Sequence, residues 1–118
     1  MSSLPVKAEQ RKGIPLFRGV LKYFPDALCA VAECSKKGSD QHHKGAPLHW
    51  DKLKSFDEGD ALLRHLIDSG TIDTDGIRHS AKVAWRALAL LQREIDGENN
   101  TTTPSDMTHR PVVSPIIR

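Results

Sequence analysis

The hydrophobic positions of this chain recur with helical periodicity in three stretches, and we find no convincing pair of alternating strands. We therefore predict an all-α protein with helices over about 23–37, 53–69 and 77–95. A proline and an aspartate suit the first turn of the first helix. A glycine follows each stretch as its predicted stop, Gly38 and Gly97 among them.

The remaining sequence divides the chain into segments. We predict an extended N-terminal arm over 1–21, a helical domain over 22–97 and a C-terminal tail over 98–118. The polar loop over 38–51 is longer than a simple connection between two helices requires, and long loops in compact domains are often functional. The tail either stays unstructured or packs its last apolar residues on a neighbouring subunit. A helical core of roughly 75 residues is marginal alone, so we expect oligomerisation to complete it.

The second predicted helix contains an aspartate inside its apolar face. On a helical wheel with about 100° per residue, Leu63 and Ile67 fall within roughly 20° of Phe56. Asp60 falls only roughly 40° from that direction, whereas Glu58 points the opposite way, roughly 200° from it. A lone buried carboxylate is costly unless it is paired or binds a cation. Asp60 therefore needs a partner.

Two explanations account for Asp60. In the first, Asp60 pairs with Arg64 one turn later, and Asp57 is a solvated charge at the rim. In the second, Asp57 and Asp60, three residues apart and pointing the same way, hold a divalent metal. Carboxylate oxygens of this kind suit Mg²⁺ or Mn²⁺.

Charged residues on the other two predicted helices can also be explained either as surface ion pairs or as parts of a metal and phosphate site. Glu33 is a candidate third carboxylate, with Lys37 one turn on as a phosphate contact; the alternative is a surface Glu33–Lys37 pair. Lys82, Arg86 and Arg93 form a basic stripe on the third helix. A solvated face explains this stripe, and phosphate binding is the sharper alternative.

Aromatic and histidine residues add candidate contacts. Trp50, in the loop, is the better platform for a base, whereas we expect Trp85 to lie in the core. A zinc site among the loop histidines is a weak alternative, because no matching cysteine pair accompanies them. The histidines in question are His42, His43 and His49.

The bulk composition excludes several classes. In 118 residues, 17 basic and 15 acidic side chains give a net charge of +2 without a long basic run, so we expect no direct nucleic-acid binding. Arg86 interrupts the most apolar run well short of a membrane span, and the N-terminus lacks an apolar signal core. Cys29 and Cys34 diverge on one helix, so we predict reduced, buried thiols in a cytoplasmic protein.

Three segments together resemble a known family. These are "FDEGDALLRHLIDSGTIDTDGIRHSAKVAWRALALLQREI" and, upstream of it, "DALCAVAECSKKG" and "HHKGAPLHW". They resemble the phage dATP/dGTP diphosphohydrolases, a MazG-like group of all-α nucleotide pyrophosphohydrolases that includes the MazZ proteins of phages that replace adenine with 2-aminoadenine. The resemblance covers roughly Gly13 to Glu94, and it implies a MazG-like helical bundle in the host cytoplasm if the chain is phage-encoded.

The resemblance implies a reaction and a set of site residues. Such enzymes cleave purine deoxynucleoside triphosphates, dGTP or dATP, to the monophosphate and pyrophosphate with Mg²⁺ or Mn²⁺. Because the helical core is small, we expect this chain to form a homo-oligomer, a dimer or a tetramer. On matching positions, the catalytic and metal-binding acids are Glu33, Asp57 and Asp60. The implied substrate-binding residues are Lys37, Lys44, Trp50, Arg64, His65 and His79.

One departure from the family pattern keeps a second function open. Typical first helices carry paired acids three residues apart, but Ala30 and Lys36 occupy the positions three before and three after Glu33. The missing ligand is either absent or supplied by Asp26, Asp73 or another subunit. If it is absent, the chain is a non-catalytic MazG-like nucleotide-binding or helical assembly module.

Overall fold

The computed structural model describes residues 4–53 and 56–99 of the chain. This part is mainly helical and contains no strand, only an isolated bridge between Ile72 and Arg78, so the all-α prediction is confirmed. The predicted tail over 98–118 lies outside the described residues from position 100 onward. The helices are α1 (Ala8–Lys12), α2 (Pro25–His42), α3 (Glu58–Ile67) and α4 (His79–Asn99), with a π-helical turn over Phe17–Leu21.

The helix boundaries differ from the predicted ones where local interactions compete with glycine. α2 continues past Gly38, because Lys36 and Asp40 form an ion pair of 2.9 Å across that position and Ser39 is buried. The predicted stops at Gly38 and at Gly97 are therefore wrong, since both glycines lie inside helices. The N-terminal arm is not simply extended, since it contains α1 and the π-helical turn.

The connection from α3 to α4 is a tight turn that positions three polar side chains. Gly70 and Gly76 adopt φ values of 90° and 83°, a left-handed conformation that glycine adopts without steric cost. Between them, the Asp73 amide donates to the Ile77 carbonyl at 2.9 Å, and the His79 amide donates to the Thr71 carbonyl at 3.1 Å. The turn thereby places Asp73, Asp75 and His79 at the start of α4.

The core of a single copy is thin. α2 and α3 both pack against α4, and the buried apolar residues of the described chain are the small side chains of Ala61, Ala81 and Ala89. The predicted apolar face of α3 is exposed instead: Leu63 is 58% and Ile67 83% accessible. That prediction is wrong for one copy, because α3 turns its alanine side toward α4.

No helix in the described part of the chain is long and apolar enough to cross a bilayer.

Candidate functional site

A cleft of about 570 Å³ lies where α2, the loop after it, α3 and α4 meet. α2 contributes the side that carries Cys34 and Ser39, α3 contributes His65, and α4 contributes Lys82. The loop contributes Trp50 and its flanking residues. Ligand sites of this kind typically measure roughly 300–1,000 Å³, so the cleft is large enough for a nucleotide-sized molecule.

Two tryptophans form the aromatic part of the cleft. The rings of Trp50 and Trp85 meet edge to face, with centroids 5.3 Å apart, and the Arg86 guanidinium lies 5.5 Å from the Trp85 ring centre. Trp85 is half-buried and lines the cleft, so its predicted place in a core is only partly correct. The Trp50 Nε1 atom is buried and has no hydrogen-bond partner within the described chain, which leaves a donor beside the cleft.

Lys82 is held by two aspartates of the α3–α4 turn. Its Nζ lies 2.6 Å from Asp73 and 2.8 Å from Asp75. The hydrogen bond from Lys82, together with that from the Thr74 amide, lowers the pKa of Asp73 to about 2. Burial acts to lower the pKa of Lys82, but the hydrogen bonds to both aspartates outweigh it and raise the value. Lys82 therefore stays charged and anchors the turn.

Glu58 is the acid that the sequence pattern assigned to the wrong side of α3. It is only 2% exposed, and its carboxylate lies 3.4 Å from the Arg86 guanidinium and 3.1 Å from Arg93 Nε. Arg86 and Arg93 are seven residues apart and therefore lie on one side of α4, but the spacing does not identify the acid that they share. The predicted basic stripe is thus neither merely solvated nor wholly available to phosphate.

A first cluster of possible metal ligands joins α3, the turn and α4. The Nδ1 atoms of His65 and His79 lie 2.9 Å apart, and His79 Nε2 lies 3.9 Å from Asp73. Burial, followed by the charges of Lys82 and His79, lowers the pKa of His65. His65 is therefore neutral at pH 7, the form in which imidazole binds a metal or accepts a proton. The structure thus brings together two predicted site residues, His65 and His79.

A second such cluster lies in the loop after α2. His43 Nε2 and His49 Nε2 lie 3.1 Å and 2.7 Å from the two carboxylate oxygens of Asp51. The two imidazole rings are 5.2 Å apart at 73°. All three residues line the cleft, whereas His42 lines it without joining the cluster.

The three predicted catalytic carboxylates do not meet in one copy. Glu33, Asp57 and Asp60 are exposed, and no cluster of three ligands that closes within 4.8 Å in the described chain contains them. Because successive helix residues turn by about 100°, Glu33 lies on the side of α2 away from the cleft, and Asp60 on the side of α3 opposite Glu58. Arg64 pairs with Asp57 at 3.5 Å rather than with Asp60. Their metal-binding role stays a prediction.

The remaining predicted contacts divide between cleft and surface. Trp50 lines the cleft, as proposed for a base platform, whereas Lys37 and Lys44 are exposed and lie outside its lining. Both cysteines are free thiols, as predicted, but only Cys34 is partly buried, and Cys29 is exposed. Burial raises the pKa of the Cys34 thiol.

Comparison of the chain with protein-family models, with curated proteins and with solved structures gives no match.

Proposed function

We propose that the protein is a nucleoside triphosphate pyrophosphohydrolase that converts dGTP or dATP to the monophosphate and pyrophosphate with Mg²⁺ or Mn²⁺. The observation that carries the proposal is the cleft of about 570 Å³, which combines an aromatic pair with cationic side chains and neutral imidazole. A nucleotide needs both a surface for its base and positive charge for its phosphates. The family resemblance supports the same reaction class.

The side chains of the cleft suit different parts of such a substrate. Trp50 lines the cleft and offers its ring to the base. Arg86 lines the cleft and, although it contacts Glu58, keeps 30% of its side chain exposed, so we assign it to the phosphates. In the form in which the carboxylates hold the divalent ion, neutral His65 accepts the proton of the attacking water, which adds to the α-phosphorus as the bond to the pyrophosphate oxygen breaks.

Two sets of ligands are available for the divalent ion, which would neutralise phosphate charge and acidify a bound water. The carboxylates Glu33, Asp57 and Asp60 have the oxygen donors that Mg²⁺ prefers, but they do not converge within one copy. The cluster of His65, Asp73 and His79 converges, and its nitrogen donors suit Mn²⁺ better than Mg²⁺. The carboxylate set therefore needs a second copy.

We propose that the working form is a homodimer or homotetramer. The described chain buries no large side chain completely. Leu63 and Ile67 of α3, together with Phe56 two residues before the helix, form an exposed apolar strip beside Asp60. Contiguous exposed apolar patches often mark association surfaces. A second copy on this strip would cover it and bring further acids to the outward carboxylates. Sedimentation at several concentrations tests this part of the proposal, and a monomer at all of them contradicts it.

Product analysis tests the reaction. The protein is incubated with each deoxynucleoside triphosphate and Mg²⁺ or Mn²⁺, and products are resolved by anion-exchange chromatography. We expect monophosphate and pyrophosphate from dGTP or dATP. Stepwise release of single phosphates would identify a different hydrolase. If no nucleotide is turned over, the enzymatic proposal is overturned.

Two variants then identify the metal ligands. Asp60→Asn lowers kcat by roughly 100-fold or more if the outward carboxylates hold the ion, whereas His79→Gln does so if the imidazole cluster holds it. Asp68→Asn is the matched control, because Asp68 is an exposed aspartate at the end of the same helix. Helical circular dichroism must match wild type in each case, so that the loss reports on the site rather than on folding.

The outward placement of Glu33, Asp57 and Asp60 favours one second candidate, a non-catalytic nucleotide-binding module. Calorimetric titration with dGTP in EDTA measures binding without turnover. Binding that Trp50→Ala weakens, together with absence of products in the chromatographic assay, supports this module. If the wild-type protein turns over a nucleotide faster than a double variant with Trp50→Ala and His65→Asn, the non-catalytic module is excluded.

A further inference from the structure

The cluster of His43, His49 and Asp51 has the composition and spacing of a transition-metal site. Each histidine directs Nε2 toward the same carboxylate, at 3.1 Å and 2.7 Å, and the three ligand atoms lie within 4.8 Å of one another. Ligand atoms about 2.0–2.1 Å from a tetrahedral ion lie roughly 3.3 Å apart. Shifts of the three side chains by a few tenths of an ångström to about an ångström would therefore bring their ligand atoms to the spacing of a coordination sphere.

The backbone around the cluster is already fixed on α2. His43 is the C-cap residue that directly follows α2, and the amide of His49 donates to the Oγ atom of Ser39 at 3.0 Å. Ser39 is one of the few buried residues of the described chain. The loop thus returns to the helix end at the point where the second histidine and the aspartate are needed. Preorganised ligands of this kind lose little conformational entropy when an ion binds.

The chemistry of the ligands selects the ion. Two imidazoles and one carboxylate suit Zn²⁺ and related divalent transition ions, whereas Mg²⁺ and Ca²⁺ prefer oxygen ligands alone. Three protein ligands leave one tetrahedral position, which water or a molecule in the cleft can fill, since all three residues line that cleft. This inference does not rest on the proposed hydrolase activity, and it concerns residues outside both metal-ligand sets considered there.

We propose that His43, His49 and Asp51 bind one Zn²⁺ ion, which ties the loop that carries Trp50 to the end of α2. In the metal-free protein, the His49 imidazole donates Nε2–H to one oxygen of Asp51, and His43 Nε2 lies 3.1 Å from the other oxygen. On binding, each imidazole coordinates the ion through the lone pair of Nε2 as the Nδ1–H tautomer, so the ring proton of His49 passes from Nε2 to Nδ1 through solvent. Trp50 lies between His49 and Asp51 in the chain, so its indole reports on the event.

Cobalt titration tests the site, because tetrahedral Co²⁺ absorbs visible light far more strongly than the hydrated ion. The full chain is treated with EDTA, dialysed and titrated with Co²⁺ in the absence of nucleotide and with excess Mg²⁺. We expect a saturable visible band that Zn²⁺ displaces stoichiometrically, with quenching of tryptophan emission by Co²⁺. His49→Gln and Asp51→Asn should each weaken Co²⁺ binding by at least about 100-fold, more than the loss of an outer-shell partner costs.

Two control variants separate this site from its neighbours. His42→Gln removes an adjacent histidine that lines the same cleft outside the cluster, and His79→Gln removes the other imidazole cluster. Both should keep the His49-dependent band unchanged. The proposal is overturned if wild type gives no band, or if His49→Gln and Asp51→Asn, with wild-type helicity, bind Co²⁺ within twofold of wild type. Absence of hydrolysis would leave this result unaffected.

Discussion

Neutralising Glu58 is the substitution that most directly tests how α3 faces α4. Glu58→Gln keeps the size of the side chain but removes the charge that faces Arg86 and Arg93 at 3.4 Å and 3.1 Å. The Glu58 carboxylate is 2% exposed, so water cannot replace the lost interaction there. The two guanidinium groups are left against a neutral amide whose NH₂ group repels one of them.

The expected cost follows from the burial of the three groups. Removal of one partner from a fully buried ion pair costs about 3–5 kcal/mol. The arginine side chains are 30% and 22% exposed, so solvent screens part of their charge, and we expect a loss of about 2 kcal/mol. For a domain of this size, that loss lowers Tm by about 10 °C.

Urea unfolding followed by circular dichroism measures the effect at a concentration at which sedimentation finds a single copy, because association through the strip beside Asp60 would make stability depend on concentration. Asp60→Asn is the control: Asp60 is an exposed acid of the same helix, and its neutralisation should change the free energy of unfolding by less than about 0.5 kcal/mol. If Asp60→Asn destabilises the protein as much as Glu58→Gln with equal m values, the orientation of α3 described above is wrong.

Three further predictions concern the cleft and the backbone. At pH 8, Cys34 should react with iodoacetamide at least severalfold more slowly than exposed Cys29, because burial raises the pKa of the Cys34 thiol and lowers its thiolate fraction. A nucleotide in the cleft should slow the reaction of Cys34 alone, and peptide mass spectrometry measures both rates. Burial and the charge of the neighbouring lysine lower the pKa of His65, so in EDTA its contribution to stability should be complete above about pH 6.5 and decline as the pH falls through the lower pKa of the folded state. The free energy of unfolding in urea should therefore change less between pH 7.5 and pH 5.5 for His65→Asn than for wild type. An equal change in both proteins would contradict the lowered pKa of His65. Gly38→Ala should stabilise α2 by about 0.5–1 kcal/mol, because the added Cβ meets nothing within 4 Å. Gly76→Ala should destabilise the protein by a similar amount or more, because the φ of Gly76 is 83°. Thermal melts in which both substitutions shift Tm in the same direction would refute this distinction.

The sequence by itself determined the class of the fold and the approximate positions of its three long helices. Apolar spacing of three and four residues requires only a local helical backbone, so it located most of α2 and α4 and all of α3, although the predicted helix over 53–69 began five residues before α3. The sequence also identified His65, His79 and Trp50 as residues of interest. The structure places His65 and Trp50 in the lining of one cleft and His79 in contact with His65.

Only the tertiary structure decided which side of α3 faces inward. Leu62 and Leu66 form a second apolar strip beside the one that includes Leu63, so hydrophobicity left the rotation of the helix undetermined. Close contact through Ala61 and the ion pairs of Glu58 with two α4 arginines selected the rotation that leaves Asp60 outside. Such pairs join residues about thirty positions apart, and a pattern read along one helix contains no information about them.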